Sequence, residues 1–138
     1  MAEMRSKQLE IAPIIGGVEV KTGAMAECRE PHNLDSLLAT YHKAGAAEVN
    51  AAIEAALEAR KGWAAMKWED RISIFDRMAE LLAGPYRQVL NAATMLGQSK
   101  NVFQAEIDSA CELIDFFRFN SFFASQIYAD QPISPVGF

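Results

Sequence analysis

The stretch NVFQAEIDSACELIDFFRFNSFFASQIY, Asn101–Tyr128, decides the fold. Asn101 and Gln104 have the spacing of a capping box, in which each side chain satisfies the other's free backbone N–H at a helix start. No proline interrupts the run before Pro132. The pattern predicts one long helix ending near Tyr128, of about 28 residues. With Glu112 at zero on a wheel of about 100° per residue, Phe103, Ile107, Ala110, Ile114 and Phe117 fall on the far side as a core face. Phe116, Phe119 and Phe123 fall on the near side with Glu112, and only a narrow polar seam remains near Asp115 and Arg118. A helix that is apolar on two faces belongs inside a larger body.

Working back from this helix, three more are expected. From Ala46 the apolar residues Val49, Ile53, Ala56 and Leu57 recur at helical spacing. A second helix, Trp68 to Ala83, carries Ile72, Phe75, Met78, Leu81 and Leu82. Gly84-Pro85 closes it and opens the next, because proline is tolerated in a first helical turn. The third helix carries Val89, Leu90, Ala93 and Leu96 and is expected to end at Gly97. Before Ala46 the pattern changes. Residues Ile11 to Lys21 read as a hairpin turning at Gly16-Gly17, and Leu37 to His42 read as a third strand after a turn at Pro31-His32-Asn33. The fold class is α+β, with a strand arm over 1–45, a helical segment over 46–134 and a divergent tail over 135–138.

The 138 residues are 51% hydrophobic and 22% charged, with a net charge of −5. That composition is globular, and neither part is basic, so non-specific nucleic-acid binding is disfavoured. No apolar run reaches the length of a membrane span, and Met1 to Glu10 has neither an apolar signal core nor the acid-poor character of a presequence. Cys28 and Cys111 form no metal-ligand spacing with His32 or His42, so no metal site is expected. Cys111 reads as a small core residue, and Cys28, between Glu27 and Glu30, is a poor candidate for a reactive thiolate. No serine or cysteine triad can be assembled around either histidine. Gly16-Gly17 lacks the glycine pattern of a phosphate loop and reads as a turn.

Glu112 stands out, because it heads an aromatic stripe. A carboxylate there is desolvated, paired with a base such as Arg118, or placed at the edge of a pocket.

Several stretches together carry a family likeness. They are Gly97-Gln98-Ser99-Lys100, Gln104 to Asp108, Glu112 to Asn120 (ELIDFFRFN), Ala51 to Lys61, Asp70-Arg71 with Ile74-Phe75, Leu82 to Pro85, and Gln131 to Ser134. Over about Ile14 to Ser134 the chain resembles the 1-pyrroline-5-carboxylate dehydrogenases of the aldehyde dehydrogenase superfamily, as an N-terminal segment of them.

The resemblance implies NAD-dependent oxidation of L-glutamate γ-semialdehyde to L-glutamate in proline breakdown, by a parent that is a homo-oligomer. In such enzymes a cysteine thiolate attacks the aldehyde, NAD takes the hydride, and a glutamate helps water release the product. Those groups and the cofactor loop lie downstream of the matched region, so no catalytic or cofactor-binding residue is assigned here and this chain alone is expected to bind no NAD. Glu112 and Phe116 are the substrate-pocket residues that the likeness implies, and the segment would form part of the parent's α/β cofactor-binding domain. The implied location is the mitochondrial matrix in a eukaryote and the cytoplasm otherwise, with no membrane or nucleic-acid partner. The rival readings are a non-catalytic helical interaction module and a misassembled gene fragment.

Overall fold

A computed structural model describes residues 1–133; the 135–138 tail lies outside the described residues. In chain order the elements are α1 (Ala2–Ser6), β1 (Leu9–Ile11), β2 (Ile14–Ile15), β3 (Val18–Glu19), β4 (Met25–Glu30), β5 (Asn33–His42), α2 (Ala46–Ala65), α3 (Trp68–Ala83), α4 (Arg87–Gln98), α5 (Val102–Ala105), a π-helical segment (Glu106–Cys111) and α6 (Glu112–Ala129). The chain is thus a mixed α and β structure, strands first and helices after.

The hairpin forms where the glycine pair requires it. Ile15 pairs with Val18 and Ile14 with Glu19. Gly16 and Gly17 both have positive φ, 59° and 82°, the conformation that a two-residue hairpin turn demands and that glycine adopts at little cost. The third expected strand is present but longer. It starts at Asn33 and is the centre of a sheet ordered β1-β5-β4, parallel to β1 and antiparallel to β4. Strands β1 and β4 and the helix α1 were not anticipated. The sequence of β4, MAECRE, contains no strong strand former; pairing with β5 imposes the extended conformation, as cross-strand context commonly does.

Helix α3 has the expected bounds. Helix α4 runs one residue past Gly97, and the left-handed residue that stops it is Ser99, with φ 56° and ψ 28°. At the next start the capping box is present: the Gln104 N–H donates to Asn101 Oδ1 at 3.0 Å, and the Asn101 N–H donates to Gln104 Oε1 at 3.0 Å.

From Val102 to Ala129 the backbone stays helical, as expected, but through a π segment. There the Ser109 hydroxyl donates to the Ala105 carbonyl at 2.6 Å, and the Glu112 N–H bonds back to the Ile107 carbonyl, five residues earlier. Five-residue spacing puts Ala105 and Ala110 on the same side, and both are fully buried. It also corrects the wheel. Ala110, Ile114 and Phe117 do face the core, but Phe103 and Ile107 are 77% and 57% exposed. A constant angle per residue fails across a wider turn.

The helical core is small. Ala79 of α3 meets Ala110 and Ile114, with Leu82, Ala83 and Phe117 packed around them. The alanines let α3 and α6 approach closely, and Phe75 stacks on Phe117 with ring centroids 6.0 Å apart. Helix α2 buries no residue. Its stripe Val49, Ile53 and Leu57 is exposed, as are Phe116, Phe119 and Phe123 of α6. Apolar side chains exposed in rows along two helices are the kind of surface that promotes association. The purified chain is therefore expected to self-associate or to bind an apolar dye such as ANS. Light scattering and dye fluorescence check this; a monodisperse monomer with a sharp melt and no dye binding would contradict it. No helix of the described residues is long and apolar enough to cross a membrane.

Candidate functional site

The first turn of α6 presents Glu112 and, one turn on, Phe116. With Asp115, Phe119, Asn120 and Phe123 they line one open groove along the helix. Two of its rings, Phe119 and Phe123, stack at 6.4 Å, and Phe122 beside the groove meets Phe123 edge-on at 5.5 Å. Glu112 is exposed in this chain, so the chain alone does not desolvate it. Nor does Arg118 hold it. Among the described residues the ion pairs of this region are Arg87–Glu106 and Lys100–Asp108.

Glu112 directly follows the π segment, Glu106–Cys111. That segment is anchored to α4 by a polar network which the sequence reading did not identify. Arg87 donates through Nε to Glu106 Oε1 at 2.8 Å and also through Nη2. Asn91 Nδ2 donates to the other carboxylate oxygen, and the Ser109 hydroxyl donates to Asn91 Oδ1 at 3.2 Å. The hydrogen bonds from Arg87, then Asn91, hold the Glu106 carboxyl below the usual carboxylate range, and Glu106 in turn holds the Arg87 guanidinium protonated. Cys111 is not a plain core residue. Its sulfur lies 3.4 Å from Arg87 Nη2 and 3.9 Å from Glu106 Oε1. Both Glu106 oxygens are already engaged, so this contact is a joint between helices and not a thiol–base pair. π turns inside α-helices recur at functional sites, because the extra residue re-aims the side chains beyond them.

A second polar cluster lies between the β4–β5 turn and the end of α4. The Glu30 side chain is fully buried. It accepts from Arg5 Nε and Nη2 at 2.7 and 2.9 Å and from the Ser36 hydroxyl at 2.7 Å. The Arg5 hydrogen bonds, then that of Ser36, pull the Glu30 carboxyl down to about 2. His32 Nε2 is 2.9 Å from Glu30 Oε2, and His32 Nδ1 is 2.8 Å from Ser99 Oγ. The sequence shows no carboxylate and hydroxyl around a histidine, and the structure places both beside His32. Ser99 and His32 are distant in sequence, and only the packing of α4 against β4 brings them together. His42 is a buried strand end, bonded to the Gly23 N–H at 3.1 Å and to Glu10 at 3.2 Å.

The described residues contain no group of three or more metal-ligating side chains. Gly16-Gly17 joins two two-residue strands and opens no helix, so it does not fit a dinucleotide phosphate.

The sequence pattern of the aldehyde dehydrogenase family matches residues 18–135. The chain belongs to the aldehyde dehydrogenase family. Within it, the chain is 49% identical over 122 residues to a probable delta-1-pyrroline-5-carboxylate dehydrogenase of Schizosaccharomyces pombe, covering 88% of this chain and 22% of that one. It is 42% identical over 134 residues to the mitochondrial delta-1-pyrroline-5-carboxylate dehydrogenase of Homo sapiens, covering 97% of this chain and 24% of the relative. A solved structure of the delta-pyrroline-5-carboxylate dehydrogenase of Mycobacterium tuberculosis, bound with NAD, superposes with a TM-score of 0.93 at 45% identity, over 99% of this chain and 26% of that one. The likeness to this branch of the aldehyde dehydrogenases is thus shown, and the chain has the fold of a portion of them. It spans about a quarter of the length of the curated relatives it matches.

Proposed function

We propose that this chain is the leading segment of an NAD-dependent 1-pyrroline-5-carboxylate dehydrogenase, which oxidises L-glutamate γ-semialdehyde to L-glutamate in proline breakdown. The supporting observation is the near-complete superposition, at 45% identity, on a structure so named and bound with NAD. In this reading the segment belongs to the cofactor-binding part of a homo-oligomeric enzyme, in the mitochondrial matrix of a eukaryote or the cytoplasm of a bacterium. Relatives named as mitochondrial, such as those of Homo sapiens and Mus musculus, support the first location. NAD, when bound to the whole enzyme, accepts the hydride. In this reading no residue of this chain is assigned to NAD, and the chain's part is to shape the aldehyde pocket. Glu112 lies on its border, aimed by the π segment, and Phe116 forms its wall. The uncovered aromatic face of α6 is what a buried pocket wall looks like without the rest of its enclosure.

The test is an assay of the full-length polypeptide containing this segment, with NAD and the γ-semialdehyde set against short aliphatic aldehydes. A preference for the semialdehyde supports the reading, and its absence defeats it. In the same full-length protein, Glu112→Ala is expected to lower kcat/KM for the semialdehyde by a factor equivalent to about 1–3 kcal/mol, the usual worth of one pocket contact. Affinity for NAD should barely move. Unchanged kinetics together with a large fall in melting temperature would make Glu112 a structural residue.

A further inference from the structure

The cluster of Glu30, His32 and Ser99 is independent of the dehydrogenase reading, and its proton positions can be deduced. Glu30 accepts hydrogen bonds from Arg5 and Ser36 and stays ionised. An ionised carboxylate only accepts, so the His32 Nε2 facing it at 2.9 Å carries the hydrogen. In the neutral imidazole Nδ1 then holds the lone pair, and the Ser99 hydroxyl at 2.8 Å donates to it. This is the ordering that activates a serine: nucleophile, base, and a buried acid that sets the tautomer of the base. Lys100, next in sequence, does not compete as a base for Ser99, because its Nζ is paired with Asp108 at 2.6 Å.

Backbone conformation adds a second observation. Ser99 is the one non-glycine residue with positive φ among the described residues. Such a helix end favours glycine or asparagine. Here it holds an exposed hydroxyl out from the end of α4 and against the imidazole.

We propose that Ser99, His32 and Glu30 form a nucleophile–base–acid relay that makes Ser99 reactive toward activated acyl esters and phosphonyl fluorides. With an ester, Ser99 Oγ bonds to the carbonyl carbon as its proton passes to His32 Nδ1. The bond to the leaving oxygen then breaks, and that oxygen takes the proton from Nδ1. Water, deprotonated by the same nitrogen, releases the carboxylic acid and restores Ser99. With a phosphonyl fluoride, an Oγ–P bond forms as the hydroxyl proton passes to His32 Nδ1, the P–F bond breaks, and fluoride leaves with that proton released to solvent, giving a stable adduct. Arg5 and Ser36 are positioning residues that act through Glu30.

The experiment treats the folded chain with a fluorophosphonate probe and maps the adduct by peptide mass spectrometry. The label is expected on Ser99 and is expected to vanish in urea-unfolded protein. Ser99→Gly, which suits the left-handed conformation, should remove it without loss of helix content by circular dichroism. His32→Gln should slow labelling by about 100-fold or more, the usual worth of a general base. Added imidazole should partly restore labelling in His32→Ala, which a merely structural histidine would not allow. Absence of the label from Ser99, equal labelling after unfolding, or a wild-type rate in His32→Gln would each overturn the relay. If the histidine variants unfold, the comparison of native with unfolded protein still decides.

Discussion

Purified by itself, the 138-residue chain is expected to form no NADH from NAD and L-glutamate γ-semialdehyde. The proposed covalent mechanism needs a thiolate, a base and a nicotinamide held together. Loss of such a nucleophile alone costs on the order of a million-fold in kcat in well-studied hydrolases. Neither thiol here is equipped for the role. Cys28 lines an apolar groove with Met4, Leu9, Leu38 and Leu96. Cys111 lies against a guanidinium and a carboxylate that is fully engaged elsewhere. The check is absorbance at the NADH band with purified chain at high concentration, beside a full-length relative. Steady NADH formation that depends on the semialdehyde would refute the expectation. Esterase or phosphonylation chemistry at Ser99 would not, since it consumes no NAD.

The second large effect concerns Glu30, the buried carboxylate that ties α1, the β4–β5 turn and β5 together. Its carboxyl is held near 2, below the ordinary value of 4.5, chiefly by the Arg5 hydrogen bonds. A carboxyl depressed in the folded state stabilises it at every pH above the unfolded value. That contribution fades as the pH falls from about 4.5 towards 2, when the group takes up a proton that the unfolded chain has already bound. Amide protection factors in β4 and β5, taken against the intrinsic exchange rate at each pH and at constant temperature, are expected to fall through that window. Glu30→Gln removes the charge at all pH values. It should exchange roughly 10- to 100-fold faster than the parent at pH 7, the scale of lost charged hydrogen bonds. Its pH dependence through the window should be correspondingly flatter. Parallel curves for the two proteins would show that Glu30 contributes nothing specific.

How much of this was legible from the residues depended on whether the cause was local. The capping box at Asn101 and Gln104, the Gly16-Gly17 turn and the bounds of α3 rest on neighbours within four positions, and all were read correctly. Strand β4 was missed because its partner, not its composition, makes it extended. The π segment was missed because a regular wheel cannot represent it; Ser109 bonding to the Ala105 carbonyl is visible only in three dimensions. For the candidate sites the same division holds. Glu112 announced itself by heading an aromatic stripe on its own helix. The Ser99–His32–Glu30 relay joins residues 67 positions apart in the chain, and no spacing rule reaches that far. The closest signal was a serine just before a capping box, where a glycine would fit more easily.

The π segment acts as a phase shifter on the helical rod. A turn widened by about one residue makes the chain beyond it lag by about 100°, one position on the wheel. The face that α6 turns to α3 is therefore set by the wide turn together with the number of residues between Ala105 and Glu112. Deleting any one of them would let the rod close as an uninterrupted α-helix. The rod beyond would keep its phase, because the residue removed is the one the wide turn absorbs: Ile114 and Phe117 would stay on the alanine seam of α3, and the Glu112–Phe116 groove would stay with them. A substitution that closed the π turn with every residue kept would instead turn that face by about 100°, so in this segment a single-codon deletion is the milder disturbance and a regularising substitution the larger one.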